Sequence, residues 1–192
     1  VMASPTDASL SMTDVTVRNG RGVGDGGGVL VSNASTVEVV DTRFEGNQAS
    51  GSGGALAFPE VASVVRSDFT ANVASTGDGG ALDAGTAGAS IVIQESQFVE
   101  NAAPAGDGGA VSAVGSGFPS IDSGIQRSTF IGNRARRGGA LVLTNGGTIT
   151  NSTIVDNRAS VSGGGILGVS QNLSAGIYLT LTGNAAPEGA NA

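Results

Sequence analysis

The side chains of this protein that could do chemistry are almost all carboxylates and guanidinium groups. The 192 residues contain 16 Asp and Glu and nine basic residues, all of them Arg, but no Cys, His, Lys or Trp. Because the chain has no thiolate, imidazole or lysine amine, it excludes Ser-His and Cys-His nucleophilic sites, Schiff-base enzymes, Cys/His zinc sites and disulfide bridges. A catalytic or metal site would have to use acidic residues and arginines.

Three Gly-Asp-Gly-Gly segments are the first candidate for such a site. They begin at Gly24, Gly77 and Gly106, and they recur at the same place in a repeated unit. If neighbouring units stack, Asp78 and Asp107 lie side by side and offer oxygen ligands to Ca²⁺. Aspartate before glycine is also a common turn sequence, which is the simpler interpretation. We therefore predict no cofactor, with calcium at Asp78 and Asp107 as the alternative.

Acidic residues in the middle of the chain are the second candidate. Enzymes that cleave polysaccharides need carboxylates clustered around the scissile bond, and some also use an arginine as a base. Arg66 and six acidic residues supply these groups: Asp68, Asp78, Asp83, Glu95, Glu100 and Asp107. Their spacing brings them to no shared point, and aromatic residues that would stack on sugar rings are scarce. No catalytic residue is therefore predicted.

Charge is distributed unevenly along the chain. Residues 1–122 carry 14 acidic residues and four Arg, whereas residues 123–192 carry two acidic residues and five Arg. Arg134, Arg136 and Arg137 form a short basic cluster, which we interpret as part of a loop. The net charge of −7 argues against nucleic acid or an anionic membrane as a partner. In a linear molecule, opposite charge at the two ends would favour end-to-end assembly, which makes the three arginines candidate assembly contacts.

A repeat must position all these groups. Its unit is a small polar residue, an apolar anchor two places later, an Asn three places after the anchor, and then a Gly-Gly pair. From Val17 to Leu181 the anchors lie on average about 27 residues apart. The aromatic anchors are Phe44, Phe69, Phe98 and Phe130. The asparagines are Asn47, Asn72, Asn101, Asn133 and Asn157, and the glycine pairs are Gly53-Gly54, Gly79-Gly80, Gly108-Gly109 and Gly138-Gly139.

Within each unit the apolar residues alternate with a period of two, which predicts short β-strands. No segment shows apolar residues at helical spacing over a useful length. Three short strands per unit cannot bury a face alone, but stacked units can. We predict a single all-β solenoid over residues 1–192, a parallel β-helix of six to seven coils with three short strands per coil. Residues 1–9 would be an N-terminal extension, 10–184 the coils, and 185–192 the start of a further coil or a tail. Stacking places the phenylalanines in one internal column and the asparagines in another at a bend.

The pairing of Phe-x-x-Asn with Gly-Gly-Ala-Leu, Val or Ile resembles the repeat of the polymorphic outer membrane proteins. The resemblance implies the right-handed parallel β-helix found in passenger regions of autotransporter adhesins. It further implies an extracellular or cell-surface protein with a structural or adhesive role. We also predict no membrane insertion, since no apolar run approaches the length of about 18 residues that spans a bilayer. It places the Phe, Asn and Gly-Gly positions at internal stacking sites.

Our functional prediction from sequence is a non-enzymatic surface rod that stacks head to tail into a filament. Its partner would be a second copy of itself, end to end, or further coils of a longer parent chain. The alternative is a polysaccharide lyase or hydrolase of the β-helix class, with or without a need for calcium.

Overall fold

The computed structural model describes residues 8–32, 34–59, 61–85, 90–113, 124–144, 147–168, 173–175 and 178–187. Within these ranges all regular structure is β-strand, 26 strands in total, and each strand pair is parallel. No helix in the described part of the chain has the length and hydropathy needed to cross a membrane. The predicted all-β parallel solenoid is confirmed.

The strands follow one another in groups of four, and each group is one coil. The first three coils contain β1 (Ala8–Thr13), β2 (Thr16–Arg18), β3 (Arg21–Gly22), β4 (Val29–Leu30), β5 (Ala34–Val40), β6 (Arg43–Glu45), β7 (Gln48–Ala49), β8 (Leu56–Phe58), β9 (Val61–Val65), β10 (Asp68–Thr70), β11 (Val73–Ala74) and β12 (Leu82–Ala84).

The remaining coils continue the same pattern. They contain β13 (Ser90–Gln94), β14 (Gln97–Val99), β15 (Ala102–Asp107), β16 (Val111–Ala113), β17 (Ile125–Gln126), β18 (Thr129–Ile131), β19 (Arg134–Arg137), β20 (Leu141–Leu143), β21 (Gly147–Thr150), β22 (Thr153–Val155), β23 (Arg158–Ser162), β24 (Ile166–Gly168), β25 (Leu173–Ala175) and β26 (Thr180–Thr182). Six coils thus have all four strands, and a seventh has two.

Each of the four sheets collects one strand from every coil. Sheet A runs from β1 to β25 and sheet B from β2 to β26, with seven strands each. Sheet C runs from β3 to β23 and sheet D from β4 to β24, with six strands each. Equivalent residues stand directly opposite one another, as Phe69 does with Phe44 and Phe98. The solenoid therefore converts each repeat position into a column along its axis.

The predicted number of strands per coil needs correction, from three to four. The strand missed in sequence is that of sheet C, which follows the Asn and spans only two residues in several coils, as in Gln48–Ala49. Two residues are too short to display an alternating pattern. The signal they do leave is an Asn-x-Ala sequence, whose alanines are at most 5 % exposed: Ala49, Ala74, Ala103, Ala135 and Ala159.

The core lies inside the four sheets, where alternate residues of every strand meet. The rings of Phe44, Phe69, Phe98 and Phe130 are fully buried and stacked nearly parallel, with centroids 4.7–4.9 Å apart. That distance equals the spacing of neighbouring strands in a sheet. The distance between neighbouring strands therefore sets the distance between the ring centroids. This centroid distance falls within the range at which aromatic pairs attract each other.

Three bends with positive φ turn each coil. In the third coil they lie at Arg66 between sheets A and B (φ 46°), at Ala71 between sheets B and C (φ 53°), and at Gly79 between sheets C and D (φ 63°). The connection from sheet D back to sheet A varies most in length, from two residues after Phe58 to eleven after Ala113. Variation in coil length is thus absorbed largely at one corner, so the other columns stay in register.

The predicted terminal segments lie only partly within the described residues. Residues 1–7 and 188–192 fall outside them. Ala8 and Ser9 already belong to β1, so the first strand begins inside the predicted extension. Ala185 forms a parallel bridge with Arg158, at the position where a seventh strand of sheet C would lie.

Candidate functional site

An asparagine ladder runs along the bend between sheets B and C. Asn101 is fully buried, and its Nδ2 donates to Asn133 Oδ1 at 3.0 Å and to the Phe69 carbonyl at 2.9 Å. Its Oδ1 accepts the backbone N–H and the Nδ2 of Asn72, both at 3.0 Å. The amide thus uses both donors and both lone pairs. The same arrangement links Asn47, Asn72, Asn133 and Asn157, and ends on Asn184.

A hydroxyl ladder occupies the bend between sheets A and B. Ser96 Oγ accepts the backbone N–H of Ser67 at 3.1 Å and donates to the carbonyl of Gln94 at 2.8 Å. Every member is at most 2 % exposed: Thr42, Ser67, Ser96, Ser128 and Ser152. Because the Ser and Asn side chains satisfy bend N–H groups, the solenoid can bury its corners without unpaired backbone donors.

The glycine pairs have two distinct roles. Gly79 holds φ at +63°, which a residue with a Cβ adopts only with strain. A side chain on Gly80 would run into the carbonyl oxygen of Gly109 in the next coil. The same division holds for Gly53-Gly54, Gly108-Gly109 and Gly138-Gly139. The glycine pairs, together with the Phe and Asn columns, hold the strands in place. The residues on the outer faces are therefore free to vary.

Ion pairs connect neighbouring coils on the outside of the bend between sheets A and B. Arg66 donates to both carboxylate oxygens of Asp41 at 2.8 and 2.9 Å, and Arg127 donates to Glu95 Oε1 at 2.8 and 3.1 Å. The hydrogen bond from Arg66 lowers the pKa of Asp41 below its ordinary value. These side chains are about half exposed, so each pair stabilises the protein only slightly. They favour the correct register of the coils, since a shifted coil would lose the partner.

The aspartates of the Gly-Asp-Gly-Gly segments lie in one column on the rim between sheets C and D. Backbone N–H groups donate across the coils, from Ser52 to Asp25 Oδ1 and from Asp107 to Asp78 Oδ1, both at 2.7 Å. The predicted adjacency of Asp78 and Asp107 is therefore present. Arg137 Nε lies 3.0 Å from both carboxylate oxygens of Asp107, and Arg136 Nη2 lies 3.3 Å from one of them.

These contacts bear directly on calcium binding. Asp107 is largely buried and already neutralised by two guanidinium groups, and Asp78 accepts a backbone hydrogen bond. Among the described residues no group of three or more acidic side chains is placed to hold a metal ion. Calcium usually takes six to eight oxygen ligands. Calcium at Asp78 and Asp107 stays a prediction, and it would have to compete with Arg137.

Among the acidic groups of the described residues, Asp83 has the pKa that is shifted most. It lies in sheet D on the side facing away from the core, yet it is only 8 % exposed. Burial, together with the nearby charge of Asp78, raises its pKa to about 7. The hydroxyl of Ser112, opposite Asp83 in the next coil, is fully buried and has no hydrogen-bond partner of good geometry among the described residues. The Ser112 hydroxyl lowers the pKa of Asp83, but by less than burial and the charge of Asp78 raise it.

The acidic residues considered for polysaccharide cleavage are spread over different faces of the solenoid. Glu95 and Glu100 lie at two successive bends, and Asp68 pairs with Arg43 on sheet B, with a nitrogen to oxygen distance of 3.6 Å. Arg66, considered as a base, is bound to Asp41. Asp83 lines a small cavity of about 230 Å³ together with Asp25, Leu30 and Pro59.

Arg134, Arg136 and Arg137 form strand β19 of sheet C, not the loop expected from their polarity. A strand of charged residues is possible here because Ala135 supplies the only inward side chain. Arg134 stands directly opposite Arg158 of the next coil. Both are exposed, and neither belongs to an ion pair among the described residues.

Two features of these outer faces escaped the sequence interpretation. The alternating charges at the first bend sit three residues before each anchor, so aligning the coils on the anchors would have revealed them: Asp41, Arg66, Glu95 and Arg127. Asp83 carries no comparable signal. Because it follows Leu82 in a strand, the sequence predicts that its side chain points outward. Its burial depends on packing against the outer face of sheet D.

Residues 41–59 match the family model for the Chlamydia polymorphic membrane protein repeat. The matched segment fits a β-helix repeat of the polymorphic membrane protein type. The matched segment contains the anchor Phe44, the ladder residue Asn47 and the pair Gly53-Gly54, from the first bend to the end of the strand in sheet D. The other coils repeat the same residues in register with it.

Comparison with the curated proteins and with the solved structures finds no match. The repeat therefore carries the functional information. It favours a β-helix protein of the outer membrane or cell surface over an enzyme. The matched positions are stacking positions, and they say nothing about what the outer faces bind.

Proposed function

We propose that this protein is a non-enzymatic β-helix of the cell surface or extracellular space, where it acts as a structural and adhesive rod. The observation that carries the proposal is the match of residues 41–59 to a membrane-protein repeat, in a solenoid that repeats the matched motif coil after coil. A stack of short parallel strands is rigid and extended, and it presents long outer faces to partners. Such a scaffold suits projection from a surface.

Surface location is tested by labelling. Antibodies raised against the 192-residue chain should label intact cells of the producing organism without permeabilisation. The control is an antibody against a cytoplasmic protein, which should label only permeabilised cells. Labelling of the chain only after permeabilisation would contradict the proposal.

End-to-end assembly is the sharper form of the proposal. At the anchor column, Ile154 is fully buried whereas Leu181, its neighbour in the outermost described strand of sheet B, is 54 % exposed. A further coil laid on β26 would cover Leu181 and pair the free strand edge. That coil would come from a second copy, or from a longer parent chain.

A matched pair of variants tests self-stacking. Leu181→Asp places a charge where the next coil would pack, and should abolish concentration-dependent fibres in electron micrographs and in sedimentation velocity. Val61→Asp makes the same change at a 41 % exposed valine of a central coil and should leave fibres intact. High salt should weaken assembly if the opposite end charges contribute. Single short particles for the unchanged chain at all concentrations would contradict the filament.

We also propose that the protein needs no cofactor. Arginine side chains already occupy the oxygens of Asp107, so chelation should leave the thermal unfolding temperature unchanged. The measurement is calorimetry with EGTA and with added CaCl₂. A calcium-dependent rise in unfolding temperature that is lost in Asp78→Asn would instead establish the calcium alternative.

A further inference from the structure

The outer face of sheet C carries a column with two adjacent arginines, Arg134 and Arg158, in the fifth and sixth coils. Equivalent residues of this column are in register: Arg21, Gln48, Val73, Ala102, Arg134, Arg158 and Ala185. Their side chains point outward, because the flanking positions, such as Asn133 and Ala135, are buried. The two arginines therefore project side by side from neighbouring strands.

This like-charge contact differs from the placement of the other arginines in the central coils. Arg43, Arg66 and Arg127 each face an acidic residue of a neighbouring coil, and so do Arg136 and Arg137. Arg134 and Arg158 instead face each other across strands about 4.8 Å apart. Like charges directly opposite each other destabilise a sheet. Glu100 and Asp156, at the preceding bends, form no ion pair with either arginine.

Further hydrogen-bond donors surround the pair. Arg136 lies two residues after Arg134 in β19, and only one of its nitrogens approaches Asp107, at 3.3 Å. Ser160 is exposed in the next coil. Beside Arg158 and Ser160 lies a cavity of about 280 Å³, floored by the small residues from Ala185 to Pro187. The cavity is at the lower end of the sizes that hold small ligands, which suits a single ring or anionic group.

We propose that this face, defined by Arg134, Arg136, Arg158 and Ser160, binds an acidic polysaccharide through its carboxylate or sulfate groups. Guanidinium groups recognise planar or tetrahedral oxyanions by paired hydrogen bonds, and a bound anion would relieve the repulsion between Arg134 and Arg158. A polymer with regularly repeated anions can engage Arg134, Arg136 and Arg158 together. The proposal names a ligand class for the adhesive role proposed above, and it deepens that role.

The described residues favour this partner over two others. Among the described residues no aromatic side chain lies on the face to stack on bases, as binding of a single-stranded nucleic acid would require. A second copy stacked end to end would contact the outermost strand edges, including β23 with Arg158 and Ser160, whereas Arg134 lies one coil further inside. A lateral contact with the acidic coils of another copy is a separate outcome that the experiment must detect.

The test measures binding of the 192-residue chain to heparin, to polygalacturonate and to neutral dextran by calorimetry at low salt. We expect binding of at least one of the two polyanions, with preference for heparin assigning sulfate and preference for polygalacturonate assigning carboxylate. Dextran should not bind. The double variant Arg134→Gln/Arg158→Gln should lose affinity by about tenfold or more. The variant Arg18→Gln/Arg21→Gln makes the same charge change at exposed residues of the first coil and should lose at most about twofold.

Three results would overturn the proposal. The first is that neither polyanion binds, and the second is that both double variants lose the same affinity. The third is that the chain binds no polysaccharide but sediments as an oligomer, which Arg134→Gln/Arg158→Gln dissociates. Circular dichroism checks that both double variants are folded. Since they change only exposed side chains, both should retain the β spectrum. Because the assay uses purified protein and soluble polysaccharides, its result does not depend on whether the protein lies on the cell surface. A protein that labels at the surface but ignores polyanions would refute this inference and leave the proposed function intact.

Discussion

The left-handed bends show how single residues set the local free energy of the solenoid. The bend between sheets B and C is Gly in some coils, at Gly46, Gly132 and Gly183, and a residue with a Cβ in others, such as Ala71 with φ 53°. A Cβ in the left-handed region costs about 1 kcal/mol or more per residue, whereas Gly adopts it without strain. Conformational strain is therefore unevenly distributed among coils that otherwise look alike.

A reciprocal pair of substitutions measures this strain. Ala71→Gly should raise the free energy of unfolding by about 0.5–1 kcal/mol, since the residue is exposed and loses no packing. Gly132→Ala should lower it by about 1 kcal/mol. The nearest atom to a Cβ at position 132 is 3.6 Å away, so the change adds no clash. Urea unfolding of both variants provides the values, and changes of the same sign would contradict this interpretation of the bend.

Asp83 makes stability depend on pH in an unusual direction. Its pKa in the folded state is raised to about 7, from 3.8 in an unperturbed carboxyl group. Between these values the folded state retains a proton that the unfolded state has lost, so stability falls as the pH rises from about 4 to about 7. The full difference of about three pKa units corresponds to roughly 4 kcal/mol. Above pH 7 this contribution is constant.

The variant Asp83→Asn tests this linkage. It should unfold at higher urea concentration than the unchanged protein at pH 8, and at nearly the same concentration at pH 4.5. Asp14→Asn, at an exposed bend of the first coil, serves as the control and should leave the difference between the two pH values unaltered. Equal effects of Asp83→Asn at both pH values would refute the raised pKa.

The elements of this protein are held together by columns, since no strand makes a stable unit with its sequence neighbours. Strands of two or three residues contribute few hydrogen bonds each, and their order comes from equivalent strands in the coils on either side. Side-chain ladders at the bends add contacts that join the sheets. The Ser ladder fixes the corner between sheets A and B, and the Asn ladder fixes the corner between sheets B and C. These columns specify register, because a one-residue slip would remove both ladders at once.

Loss of a ladder amide should cost more in the middle of the solenoid than at its outermost coil. Asn101→Ala removes two donors and two acceptors from a fully buried site, so it should destabilise the protein by about 3 kcal/mol or more. Asn184 is only partly buried, and Asn184→Ala should cost roughly half as much. Both values come from urea unfolding. Equal losses at the two positions would show that the ladder is not the source of the stability.

The whole molecule behaves as a one-dimensional array in which each coil contacts the coils before and after it. Its charge is also arranged along the axis, with 14 of the 16 acidic residues in residues 1–122 and five of the nine arginines in residues 123–192. The free energy of unfolding of such an array is approximately the sum of the intrinsic stabilities of the coils and the interaction free energies between neighbouring coils. A complete coil should therefore be removable, provided that the flanking columns rejoin.

Deletion of residues 70–98 tests this property. It joins Phe69 to Val99 and restores the Phe-x-x-Asn spacing with Asn101. The shortened chain should fold into a solenoid with a β spectrum, with an m-value lower by roughly 15 %, as expected for the smaller surface exposed on unfolding. It should also lose the pH dependence assigned to Asp83.

Deletion of residues 71–98 is the matched control, because it leaves one extra residue between Phe69 and Asn101. The ladder Asn then falls on the wrong side of the strand. This chain should unfold at lower urea concentration than the in-register deletion, or fail to fold. Equal stability of the two deletions would contradict the dependence on columns.

The sequence by itself determined the solenoid, its period and its internal columns. The Phe, Asn and Gly-Gly positions recur at fixed distances, and each has a local physical reason that holds in every coil. Sheet C was missed because strands of two residues, such as Val73–Ala74, are too short for an alternating pattern. Only the tertiary structure decided which outer residues meet. Coil lengths vary, so the pairing of Arg137 with Asp107, the contact of Arg134 with Arg158 and the burial of Asp83 depend on how coils of unequal length stack.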